Sequence, residues 1–253
     1  MVRSIFRRVT LGLLTAAALL APACFATSQE VTKTFPMRPD GNFALSNVNG
    51  TVRIEGWDKN EVEIRAVKTT PDNQSLLNRV AIDIESNPEG VSVSTRYPQQ
   101  EGVEVAVDYV VHVPRHVQLS HVNNINGTVR IFSSEALGEL HTVNGNIEVY
   151  ESSGNVHAHT TNGNIYVELK SSGNGGAFVE TTNGSVLLAL PIDLPADLEA
   201  RCMNGSFSSE LPLIMKGAAQ PRTVRGQLGH GGAPIHLGTV NGTIRIVALR
   251  STV

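Results

Sequence analysis

Four histidines and two glutamates, His121, Glu139, His141, His157, His159 and Glu180, fall on a grid set by a recurring Asn-Gly pair. His121, Glu139 and His157 stand five residues before such a pair, and His141, His159 and Glu180 stand three before one. Neutral imidazoles bind zinc or copper, and imidazoles protonated below about pH 6.5 repel one another. A patch of this composition is thus a metal-site candidate first and an acid-sensitive face second. No His/Cys spacing in the chain matches a zinc motif, so the simpler account is a solvated polar face rich in histidine.

Catalytic chemistry finds less to work with. Glycoside hydrolysis requires two carboxylates across a groove, whereas the outward acids Glu148, Glu151 and Glu168 are scattered along the sequence. Asp193 and Asp197 in "PIDLPADLEA" lie among prolines that favour a turn. "GQLGHGG" lacks the Lys-Ser/Thr of a phosphate cradle, and no G-x-S-x-G elbow is present. Cys202 reads as a small core residue rather than a nucleophile. With no acid, base and nucleophile in mutual reach, the expectation is a protein that is not an enzyme and needs no cofactor.

Whether the six grid residues meet depends on the elements that carry them. The pairs Asn49-Gly50, Asn126-Gly127, Asn144-Gly145, Asn162-Gly163, Asn183-Gly184, Asn204-Gly205 and Asn241-Gly242 are separated by 77, 18, 18, 21, 21 and 37 residues. Five of them match the glycosylation sequon, which the turn motif produces automatically. Two residues past each Gly stands Val52, Val129, Ile147, Ile165, Val186, Phe207 or Ile244, and alternation continues from there. Four residues before each Asn stands Leu45, Val122, Leu140, Ala158, Val179, Ala200 or Leu237. Two before it stands Asn47, Asn124, Thr142, Thr160, Thr181, Cys202 or Thr239, small or modestly polar and also facing inward. Each unit is then strand, Asn-Gly corner, strand, and a second corner such as "ESSG".

An antiparallel β-meander of stacked hairpins tolerates this pattern, because Asn-Gly is also the strongest hairpin signal. Stacked coils reward it, since equivalent residues then lie ~4.8 Å apart and form ladders of like side chains. The reading preferred is all-β: a parallel β-helix or β-solenoid-like stack of short strands with Asn-Gly corners. In that arrangement the six grid residues share one exposed face.

Residues 1–26 have a basic start, "MVRSIFRR", and an apolar run, "VTLGLLTAAALLAPA", as expected of a signal peptide cleaved after Ala26. Removing 26 of the 253 residues leaves 227, and loss of Arg3, Arg7 and Arg8 takes the formal charge from −3 to −6. That charge argues against nucleic acid as a partner. "LAPAC" offers a second route, with Cys24 as a lipid anchor, although Ala21 and Pro22 fit a lipobox poorly. No other apolar run is long enough to span a bilayer. Segment 27–115 is expected to cap the solenoid, 116–253 to form the repeat with a Gly/Pro-rich loop insertion at 216–234, and 27–253 to make one continuous domain. The last repeat, "IHLGTVNGTIRIVAL", is expected to close the far end.

These segments carry a resemblance. "FALSNVNGTVRIEGWDKNEVEIRAVKT", "YVVHVPRHVQLSHVNNINGTVRI", "TTNGSVLLALPIDLPADLEARCMNGSF" and "GHGGAPIHLGTVNGTIRI" resemble the bacterial putative-adhesin family of exported β-repeat domains, across essentially the whole mature chain. The resemblance implies an exported, non-enzymatic envelope protein that presents a repetitive β face to a glycan or a protein. A periplasmic envelope-stress or scaffold protein is the alternative, and a carbohydrate-active β-helix enzyme a more distant one. The location implied is periplasm, outer envelope or cell surface.

Overall fold

The computed structural model describes residues 27–71, 73–87, 89–99, 102–217 and 222–249; the expected leader and Cys24 lie outside them. Among the described residues there are seventeen strands: β1 (Thr27–Pro36), β2 (Asn42–Ser46), β3 (Val52–Trp57), β4 (Glu61–Thr70), β5 (Ala81–Asn87), β6 (Gly90–Arg96), β7 (Ala106–Pro114), β8 (Gln118–Asn126), β9 (Val129–Phe132), β10 (Glu139–Asn144), β11 (Ile147–Asn162), β12 (Ile165–Asn183), β13 (Val186–Leu190), β14 (Ala196–Ser209), β15 (Leu213–Met215), β16 (Thr223–Leu228) and β17 (Ala233–Ala248). A short 3₁₀ turn, Gln74–Arg79, sits between β4 and β5.

The strands build two parallel faces that meet at the Asn-Gly corners. The first face holds the arms before each corner, in the order β6, β2, β8, β10, then the second halves of β11 and β12 and the first halves of β17 and β14. The second face holds the arms after each corner, in the order β7, β3, β9, the first halves of β11 and β12, β13, and the second halves of β17 and β14. Among the described residues, antiparallel strands appear only at the two ends of the stack: β1, β4 and β5 at one, β15 and β16 at the other. The fold is thus the β-solenoid-like stack, and the hairpin meander is not what forms. The corners themselves show why. A two-residue type I′ hairpin needs positive φ at both central residues, yet the only non-glycine residues with positive φ among those described are Ser133 and Glu151.

Apolar alternation fills the space between the faces. Val129, Ile131, Leu140, Ile147, Val149, Ala158, Ile165, Val167 and Val179 are buried, so the core is a column of aliphatic side chains repeated from coil to coil. The boundary drawn at 115/116 falls between β7 and β8, and β2 and β3 on its N-terminal side stack directly on β8 and β9.

One expectation is corrected. The last repeat does not close the stack: β17 lies between β12/β13 and β14, so the corners run in space as 49, 126, 144, 162, 183, 241, 204. The physical reason lies in the segment read as a loop, 216–234, which contains β16. This strand pairs antiparallel with the first half of β14 and covers its outer edge. With that edge occupied, the returning chain pairs along the inner one.

The small polar residue two before each Asn has a task at the corner. Thr142, Thr160, Thr181 and Thr239 each donate a hydroxyl bond to the glycine carbonyl of the neighbouring coil, at 3.3, 3.0, 2.9 and 2.8 Å. Asn124 reaches Gly50 in the same way, and the Cys202 thiol points at Gly242. A buried carbonyl left without its donor costs ~1–3 kcal/mol. Thr160→Val keeps the shape and removes the hydroxyl. It is expected to destabilise the fold by ~1–2 kcal/mol, read as a lower denaturant midpoint at unchanged slope. Outside, the corner asparagines form a ladder in which each side-chain amide donates to the preceding one: 126 to 49, 144 to 126, 162 to 144, 183 to 162, 241 to 183 and 204 to 241, all at 2.7–2.9 Å.

Candidate functional site

Pairing register converts the sequence grid into rows. Five before each Asn, the outward row reads His121, Glu139, His157, Phe178, His236, Glu199. Three before, it reads Asn123, His141, His159, Glu180, Gly238, Arg201. All six residues singled out from the sequence therefore sit on the first face, in two adjacent rows. Phe178, His236, Glu199 and Arg201 join them from the same grid positions, extended to coils where the residue type is not histidine or where the chain order is permuted.

Between the rows runs a trench floored by the buried residues four before each Asn. One stretch, about 470 Å³, is lined by His121, Asn123, His141, His157, Phe178 and Glu180. The next, about 270 Å³, shares His159 and Glu180 and continues past Gly238 to Arg201 and Met203. The walls are ordered by ring stacking and hydrogen bonds. His141 and His159 stack with centroids 5.4 Å apart and planes 1° from parallel. His157, Phe178 and His236 form a second stack at 4.8 and 4.7 Å. His121 lies 3.2 Å from Glu139 through Nδ1 and 2.6 Å from the Asn123 amide through Nε2.

Burial first, then His159 and His121, hold the His141 pKa below the ordinary imidazole value. Glu199 is bound by Arg225 and also pairs with Arg201 at 3.2 Å, and the Arg225 hydrogen bond holds its carboxyl below the usual range. The Glu180 carboxylate has no hydrogen bond or ion pair among the described residues. Among the described residues no group of three or more His, Cys, Asp or Glu side chains is placed to hold a metal ion. The stacked imidazoles face each other ring to ring, which does not converge their nitrogens on one point.

The second face carries a different ladder. Phe132 and Tyr150 stack at 5.0 Å, Tyr166 follows at 5.0 Å, and Arg53 lies over Phe132 at 4.2 Å. Glu148 is engaged by Arg130 at 2.7 Å, Glu151 by Lys170, and Glu168 by the Tyr166 hydroxyl. Phe132 and Tyr150 turn their ring faces toward one another, and Tyr166 is tilted from Tyr150 by 42°. Asp197 lies in β14, held by Gln227 and Lys216, rather than in a turn.

A family model described as Toastrack DUF4097 matches residues 28–247. Among solved structures, a putative cell adhesion protein from Clostridium sporogenes is 11% identical, with 87% of this chain and 100% of that chain covered and a TM-score of 0.48. A putative adhesin from Bacteroides fragilis is 10% identical over 87% and 97% of the two chains, with a TM-score of 0.36. A putative lipid binding protein from Parabacteroides distasonis is 11% identical over the same shares, with a TM-score of 0.34. No curated protein matches. No helix among the described residues is long and apolar enough to cross a membrane.

Proposed function

The chain belongs to the Toastrack DUF4097 family, and from that premise we propose that it is a non-catalytic binding module of the cell envelope that grips an extended ligand in the trench of its first face. The observation that carries this reading is the continuity of the trench over successive coils, walled by two rows of outward residues in register. Solenoids characteristically bind through such long surfaces rather than through closed pockets.

Carboxyl chemistry supports the non-catalytic part. A glycosidase sets two carboxylates across a groove, whereas the outward acids Glu148, Glu151 and Glu168 lie away from the trench and are engaged by Arg130, Lys170 and Tyr166. Export by the first 26 residues, without a lipid at Cys24, completes the proposal.

The test is retention of the purified protein on isolated cell envelopes. His141→Ala combined with His159→Ala removes one trench wall without touching the core, and retention is expected to fall several-fold while the thermal midpoint stays put. Retention unchanged by that double variant would remove the trench from the mechanism. Protease treatment of intact cells adds the location: loss of the protein places it on the outside, and survival until the envelope is broken assigns it to the periplasm.

A further inference from the structure

Gly238 is the one member of its row without a side chain, between Glu180 on one coil and Arg201 on another. A glycine inside a strand weakens it and often marks a place where a ligand approaches the backbone. Neither usual backbone reason for glycine applies here. Gly238 is not among the residues with positive φ, and a Cβ at this position would press only on the side chain of Glu180, at 3.1 Å from its Cγ. The missing side chain leaves a notch in the trench wall, over which the side chain of Glu180 leans.

The notch is chemically specific. Glu180 offers an unpaired carboxylate acceptor on one side. Arg201, which spends one nitrogen on Glu199, offers further donors on the other. The exposed apolar side chains of Val240 and Met203 lie at the rim. An acceptor, a donor and an apolar contact match the N–H, C=O and methyl of an acetamido group. Along the trench, the wall repeats every 4.7–5.4 Å. A 1,4-linked pyranose chain advances by about one strand spacing per sugar, whereas an extended peptide advances ~3.3 Å per residue and falls out of step. The unpaired carboxylate of Glu180 in the trench wall disfavours a polyanion.

We propose that the trench binds a 1,4-linked chain of N-acetylated hexosamines laid along the solenoid axis, about one sugar per coil, with one acetamido group seated in the Gly238 notch between Glu180 and Arg201. The assignment rests on the trench-binding reading given above and names its ligand class.

The experiment is calorimetric titration of the protein with three probes: a β-1,4 pentamer of N-acetylglucosamine, the glucose pentamer of the same linkage, and polygalacturonate. The acetylated pentamer is expected to bind, and the glucose pentamer to bind at least ~10-fold more weakly because the notch groups are then left unpaired. Gly238→Thr fills the notch with a residue suited to a strand and is expected to cost at least ~10-fold in affinity for the acetylated pentamer at an equal or higher thermal midpoint. Should that variant fold poorly, Glu180→Ala, at an exposed position, is expected to weaken the same titration. Equal affinity for the two pentamers, preference for polygalacturonate, or binding indifferent to both variants overturns the assignment. If neither pentamer binds while envelope retention persists, the ligand class is wrong and the trench reading survives; if retention is also absent, both fall.

Discussion

Gly145→Ala is expected to destabilise the protein by ~3 kcal/mol or more, the upper end for overpacking a rigid site. A Cβ at Gly145 would overlap the carbonyl oxygen and carbon of Gly127 on the adjacent coil, and the obstacle is backbone rather than a side chain that can swing away. The same overlap recurs at Gly163, where the carbonyl belongs to Gly145. Neither residue has positive φ, so the requirement is close approach between coils and not a left-handed conformation. Gly102 and Gly217 provide the contrast. Both have φ near +80° and open space within 4 Å of where a methyl would stand, so alanine there costs only the backbone penalty of ~1–2 kcal/mol. Chemical unfolding of the three variants reads the comparison; a Gly145→Ala midpoint no lower than that of the other two would refute the account of the corners.

Stability is expected to decline between pH 10 and 12 by up to ~2.7 kcal/mol from a single buried phenol. Tyr109 is buried, its hydroxyl 2.7 Å from that of Thr95, and burial pushes its pKa up from 10.0 to about 12. In the unfolded chain the phenol ionises near pH 10, while in the fold it keeps its proton until about 12. Through that window the unfolded state binds fewer protons, so rising pH favours unfolding, and below pH 10 the contribution is fully present. Tyr166 is also raised to about 12, by burial and by Glu168, but it is half exposed and its share is screened. Unfolding free energies measured on both sides of the window in the native protein and in Tyr109→Phe isolate the effect. The variant is expected to lose most of the slope, and a slope of the same size in both would exclude Tyr109 as its source.

Much of the fold was legible because one rule recurs. Alternation around each Asn-Gly pair marks Val122, Leu140 and Ala158 as inward, and burial follows that register. The same spacing brings His121, His141, His157 and His159 onto one face. The order of coils was not legible. Distance along the chain says that the repeat at Asn241 follows the one at Asn204, but space is allotted by free strand edges, and β16 had taken the outer one. Phe178 and His236 escaped notice for a related reason: a search by residue type finds histidines on consecutive repeats, whereas a trench wall is defined by position, whatever residue occupies it. The notch at Gly238 is harder still to read, because a glycine in a strand becomes informative only once its neighbours Glu180 and Arg201 are known.

Asparagine followed by glycine is the dipeptide most prone to ageing: the glycine nitrogen attacks the side-chain carbonyl carbon, closes a succinimide and releases ammonia. A chain with eight such dipeptides, seven of them at the corners of the stack, looks built to decay. Yet the nitrogens of Gly50, Gly127, Gly145, Gly163 and Gly184 each donate to the carbonyl of an asparagine one coil away. The side-chain amides of Asn126, Asn144, Asn162, Asn183 and Asn241 are gripped at both oxygen and nitrogen by their neighbours in the ladder. Nucleophile and electrophile are both held away from the geometry of ring closure. The stack therefore acts as a preservative of its own turns, and the chemical lifetime of the protein is tied to the time it spends folded.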